Sequence, residues 1–291
     1  MSAERAPTTL YRFAQVELPW ALGPSDGRYL VRRDGEADTA PSHVIVFATL
    51  GAPERRRLSH RRRSRPAEPQ PEPTPVVTGR ATVIDVARPL QSDEEAAAWL
   101  RTAGEPELEQ ALGTLNRALH AFRLVSADPY LHAVGRQQAI VARIGYGDGE
   151  QVADGRWADA RELVARSARQ RRARILTPQA RLAAVLGARE RVLACEELAL
   201  RARLDLDHGR PREAALQLLV ALDAALAELS ADSRAEVLAD RLSELRGQRE
   251  AVAGAAQSAL LGSVSDAELE TIAFTVSRLE ATLRAWSAAS A

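Results

Sequence analysis

Lysine is absent from this chain: all 39 basic residues are arginine, and Asn116 is the only asparagine. A genome rich in G and C favours codons for Arg, Ala and Gly, so arginine here is not by itself a sign of phosphate recognition. A single cysteine, Cys195, excludes an intrachain disulfide and a cysteine-based zinc site. Aromatic residues make up 4% of the chain, which leaves few platforms for stacking nucleic-acid bases. The 39 basic and 39 acidic residues balance, so no global field gathers polyanions or an anionic membrane. Long apolar runs are missing too. "VIVFA" and "LLVAL" fall far short of the roughly 20 residues that a membrane-spanning helix needs, and no membrane association is expected. The start, "MSAERAPTTL", carries no apolar signal region, which predicts a cytoplasmic protein.

What is present is a globular composition, 46% hydrophobic over 291 residues, enough for one large domain or two ordinary ones. The first half reads as α+β with a mainly antiparallel sheet. "TLYRFAQVEL", "GRYLVRR" and "SHVIVFATL" are short β-branched and aromatic segments, separated by "GPSDG" and "RDGEADTAPS" in the manner of a meander. "ERRRLSHRRRSR" and "PAEPQPEPTP" then make residues 54–76 a disordered Pro/Arg-rich insertion. "RATVIDVARPL" is a strand, and "SDEE" a capping box with Ser92 at the N-cap and Glu95 three residues on. A helix over about 105–126 places Leu108, Leu112, Leu115 and Leu119 on one face. "QAIVARIGY" is again a strand. These elements define an α+β domain over 8–160, followed by an Arg-rich connector over 161–176.

Residues 177–291 read as a four-helix domain. Thr177-Pro178 opens the first helix, and Gly209 and Pro211 separate it from the second. Ser230 or Asp232 caps the third, and Ser265 with Glu268 forms a capping box for the fourth. The spacing predicts helices over 178–207, 211–229, 233–260 and 266–288. Apolar seams run Val185, Ala188, Val192, Cys195, Ala199, Ala202, Leu206 in the first and Ala215, Leu219, Leu222, Leu226, Leu229 in the second. In the fourth the seam is Leu269, Ile272, Val276, Leu279, Leu283, Trp286. Such seams pack helices side by side in a bundle.

Few stretches carry a chemical signal. "GYGDGEQVADGRW" (145–157) holds four glycines, but the third falls one residue early for a dinucleotide fingerprint and no Lys-Ser or Lys-Thr follows. Asp148, Glu150 and Asp154 place carboxylates where phosphate would sit, so the stretch reads as a tight hairpin turning at Asp148-Gly149. Arg166, Arg169, Arg171, Arg172 and Arg174, in "RELVARSARQRRAR", are the candidate polyanion-binding residues. "RARLDLDH" offers the Arg-to-His spacing of HEPN-type ribonucleases through Arg201 or Arg203 and His208, a spacing that this arginine content also produces by chance. Cys195 sits on an apolar seam beside Glu196 and Glu197, which oppose a reactive thiolate. Asp93, Glu94 and Glu95 read as first-turn acids that complement a helix dipole. The histidines at 43, 60, 120, 132 and 208 show no ligand spacing, so neither a metal nor a cofactor is expected.

"ALRARLDLDHGRPREAALQLLVALDAAL" resembles one tetratricopeptide-type helical hairpin across residues 198–226. Gly209 stands at the turn, with Ala214, Leu218 and Ala221 at the small and bulky positions. Asp205 replaces the usual aromatic and Leu226 the closing proline, and no second copy follows. The resemblance implies a helical hairpin able to pack or bind partners. On "YRFAQVELPWALGPSDGRYL", "VIVFATLGAPERR" and "GYGDGEQVADGRW" the chain also resembles a group of high-GC actinobacterial proteins that carries no known activity, which implies a source and no mechanism. The leading expectation is a non-enzymatic scaffold or interaction protein, acting through its C-terminal helices on a protein partner or a second copy. A polyanion- or nucleic-acid-binding protein is the alternative. An enzyme with a site assembled from dispersed residues stays open as a third class.

Overall fold

Alternate side chains of "LYRFAQVEL" point to opposite faces of a strand, and in this segment both faces are apolar enough to bury. The computed structural model describes residues 9–32, 39–51, 77–164 and 181–289, and the chain divides into two compact units, Met1–Arg166 and Ser167–Ala291. In the first unit β1 (Leu10–Leu18) lies inside a six-stranded sheet with β2 (Gly27–Val31), β3 (His43–Leu50), β4 (Thr78–Leu90), β5 (Val141–Asp148) and β6 (Asp159–Glu162). The order is β2-β3-β4-β1-β5-β6 and every pairing is antiparallel.

The simple meander expected of the first three strands is therefore corrected. β1 pairs with β4 and β5, not with β2. Burial decides it: β1 buries side chains on both faces and needs strands on both sides, whereas β2 is exposed almost throughout and suits an edge. β3 and β4, which flank residues 54–76 in sequence, pair directly. That segment lies outside the described residues.

One face of the sheet packs on α1 (Asp93–Thr102) and α2 (Glu105–Ser126). Val16, Leu18, Ile45, Val83 and Ile144 meet Leu100, Leu108, Leu112, Leu115 and Leu119 in a single core. Ser92 caps α1 by accepting from the Glu95 N–H at 3.1 Å, while the Glu95 carboxylate reaches back to the N–H of Gln91. The opposite face carries Phe13, Val44 and Ile84 under Val152, in the segment that returns from β5 to β6.

That returning segment corrects the tight turn expected at Asp148-Gly149. Residues 149–154 form a 3-10 helix laid back on the sheet, and only 159–162 return as a strand, so β5 and β6 form a hairpin with a long loop. A Cβ on Gly145 would stand 2.5 Å from the Asp159 carbonyl, and one on Gly147 would stand 2.7 Å from Val152. Gly145 lets backbone lie against backbone, and Gly147 leaves room for the Val152 side chain.

The second unit is a bundle of α3 (Ala194–Asp207), α4 (Pro211–Ser230), α5 (Ala239–Leu260) and α6 (Asp266–Ala288). Connections are short, so sequential helices pack as antiparallel neighbours, and residues 198–226 lie in the α3–α4 hairpin. Arg203 of α3 reaches Glu280 of α6 at 2.8 Å and ties the first helix to the last. Ser265 and Glu268 form the expected capping box. α4 packs on two neighbours and accordingly buries a second stripe, Ala214, Leu218, Ala221 and Ala225, beside the one read from its spacing.

Two helix boundaries differ from expectation. The continuous helix over 178–207 is broken: residues 181–186 are helical, Ala188 takes a left-handed backbone at φ 54°, and α3 starts at Ala194. Val192, placed on the seam by periodicity, is exposed. The third helix begins at Ala239, not 233, because Asp232 binds the Arg234 backbone and guanidinium and holds residues 232–238 in turns. Thr177 and Pro178 lie outside the described residues. No helix among the described residues is long and apolar enough to cross a membrane.

Candidate functional site

The inward stripe of β1 reads Leu10, Arg12, Ala14, Val16, Leu18, and one cation interrupts it. Arg12 points toward the helix-covered side of the sheet at the end where β4 leaves regular pairing. Leu10 faces Leu90 and Arg12 faces Asp85, so Val86 to Pro89 bulge out between them. Proline 89 has no N–H to pair, and the N–H groups of Val86 and Ala87 both donate to the Ser42 carbonyl. The bulge opens a cleft of about 300 Å³ between the sheet and the two helices. Arg12, His43, Asp85, Trp99 and Glu107 stand around a floor of Val83, Ile144 and Ala111.

Most charges in this cleft are already engaged. Asp85 accepts from the Ala87 N–H at 3.2 Å and from Arg88 at 2.9 Å. Glu107 accepts from the Gly104 N–H at 2.5 Å and so caps α2. His43 Nδ1 lies 3.0 Å from Ser42 Oγ. Arg12 differs. Its guanidinium stacks over Trp99, 5.7 Å from the ring centroid, and its ion pair with Glu95 is long at 3.8 Å. Among the described residues, buried Arg12 Nε has no hydrogen-bond acceptor.

No family model, curated protein or solved structure matches this chain.

The candidates read from sequence separate clearly. Arg166, Arg169, Arg171, Arg172 and Arg174 lie outside the described residues. The Arg-to-His pair does not converge on a shared centre: Arg203 is held by Glu280, Ser277 and Asp207, Arg201 by Glu197, and His208 Nδ1 lies 2.7 Å from its own helix's Leu204 carbonyl. Cys195 is fully buried in the bundle core. Burial pushes its thiol pKa well above the usual range, and the Glu228 and Glu196 carboxylates push it further. Glu228 spans the start of α3, accepting from the N–H groups of Ala194 and Cys195. Among the described residues, no three His, Cys, Asp or Glu side chains gather as metal ligands.

Sequence reasoning missed the Arg12 cleft, since its walls come from four strands and two helices far apart in the chain. One signal was present: an arginine in the otherwise apolar stripe Leu10, Ala14, Val16, Leu18 of a strand.

The bundle surface is the other candidate. Leu200 and Leu204 stand outward on α3, and Leu216 and Val220 on α4, each pair at i,i+4 spacing. Leu200 is 65% exposed and Val220 54%.

Proposed function

We propose that this protein is a non-enzymatic interaction protein whose C-terminal helices bind a second copy of the chain. The observation that carries the reading is the pair of outward apolar stripes on α3 and α4. Buried, such leucines stabilise an interface by roughly 1.5–3 kcal/mol each; left in water they contribute nothing. Two features favour a copy as the occupant. The formal net charge is zero, which removes long-range repulsion between identical chains. The α3 surface also intersperses Glu197, Arg201 and Asp207 with its leucines, so it offers both signs to an identical surface turned by a two-fold axis.

Sedimentation of the full chain at micromolar concentration should give a mass near twice the 31.5 kDa of one chain. Leu200→Glu with Leu204→Glu should return it to a monomer with unchanged helix content. A wild-type protein that stays monomeric to high micromolar concentration would overturn self-association. Retention on a second protein, lost in the same double variant, would then replace a copy with a heterologous partner.

A further inference from the structure

We infer that the Arg12 cleft is a binding site for a small organic monocarboxylate with an apolar body. A guanidinium presents five N–H groups in a planar fork that matches a carboxylate. Here that fork is stacked on Trp99 and, among the described residues, its one ion pair is stretched to 3.8 Å. The Arg12 side chain keeps 23% of its surface open while Nε is closed off, so an acceptor entering the cleft meets the terminal N–H groups of the fork. Glu95 does not supply it, because its second carboxylate oxygen is held by the Gln91 N–H at 2.8 Å.

The surroundings define the rest of the ligand. Asp85 and Glu107 face the same space, and each is already paired. Two fixed carboxylates repel a dianion more than a monoanion, which favours carboxylate over phosphate. Ala111 and Trp99, partly exposed above the buried Val83 and Ile144, give an apolar body a place to lose water. A volume of about 300 Å³ limits that body to the size of a single ring or a branched chain. Because Trp99 fixes the fork before anything binds, little side-chain entropy is lost on binding. The site is separate from the bundle surface proposed above, and its test is indifferent to oligomeric state.

Benzoate is the probe, followed through the indole N–H signal of Trp99 in the full-length protein, with Trp99→Phe to assign it. Benzoate should shift that signal saturably, while neutral benzamide and inorganic phosphate leave it in place. Arg12→Lys, which keeps the charge but loses the fork, should weaken benzoate about tenfold, and Arg12→Gln should abolish the shift. Ala111→Leu keeps Arg12 and fills the floor. It should also abolish the shift with the rest of the spectrum unchanged, which settles the matter if Arg12→Gln fails to fold. The inference is overturned by no saturable shift at tens of millimolar benzoate, by equal response to benzamide or phosphate, or by a shift that survives Ala111→Leu.

Discussion

Ala127 closes α2 with a left-handed backbone at φ 51°, a position usually held by glycine. The Asp128 and Ala127 N–H groups satisfy the last carbonyls of the helix there, so the geometry is imposed by hydrogen bonding despite the side chain. The Cβ clash costs about 1–2 kcal/mol. Glycine would remove it but adds about 0.4–1 kcal/mol of chain entropy in the unfolded state. Ala127→Gly should therefore raise stability by about 0.5 kcal/mol, read as a higher denaturation midpoint at unchanged slope. Cys195 gives a second prediction at this scale. Fully buried, with its thiol held protonated by burial and by Glu228, it should resist a disulfide-exchange reagent at pH 8 and react fully only in denaturant. Rapid labelling of the native protein would refute that placement.

At the scale of elements, the back of the sheet is joined to its covering loop by polar side chains. Gln15 donates to Thr82 at 2.9 Å and to the Ala153 carbonyl at 3.4 Å. Glu17 Oε1 receives Arg80 at 2.8 Å and Arg143 at 3.3 Å. Glu17→Leu leaves two half-buried guanidinium groups facing an apolar side chain and should cost about 3 kcal/mol, with part recovered when Arg80→Met and Arg143→Met are added. The end of the bundle predicts a pH dependence. Asp232 is held well below the usual carboxylate range, first by its hydrogen bonds to the Arg234 guanidinium and then by the Arg234 N–H; Arg234 in turn stacks 4.3 Å over Trp286. At Glu228 burial pulls the pKa upward, but the N–H groups of Cys195 and Ala194 outweigh it and hold the group low. A carboxyl lowered on folding stabilises the protein above its unfolded pKa, near 4, and that contribution is lost as pH falls through the folded value. The helical unit should lose stability below about pH 4, and Asp232→Asn should flatten this decline in a pH series of urea melts. Legibility also divides by element. Capped helices such as Asp266–Ala288 announce themselves through periodicity, and strands such as Leu10–Leu18 through β-branched and aromatic residues between turn signals. The break at Ala188 did not, because alanine there gives no warning of a left-handed turn. The Arg12 cleft depended on strand order, which no local pattern encodes.

For the whole molecule the distribution of buried side chains sets the cooperativity of unfolding. Among the described residues, the sheet and its two helices fill one core and the back of the sheet a smaller one, both from the first unit, while the core of the bundle draws on residues from Leu193 onward. Cooperativity follows packed apolar contact, so each unit should lose its protection as its own core loosens. Leu222 is fully buried in α4, the helix that packs on both α3 and α5. Leu222→Ala deletes most of its side chain and leaves a cavity, a change that costs about 2–5 kcal/mol in a core of this kind. Hydrogen exchange on the full chain should then show amides of 194–288 exchanging faster by about 30- to 5,000-fold at the same pH, while those of β1, β4 and β5 keep the wild-type rate. Acceleration shared equally by the strands would mean that the two cores unfold as one cooperative body.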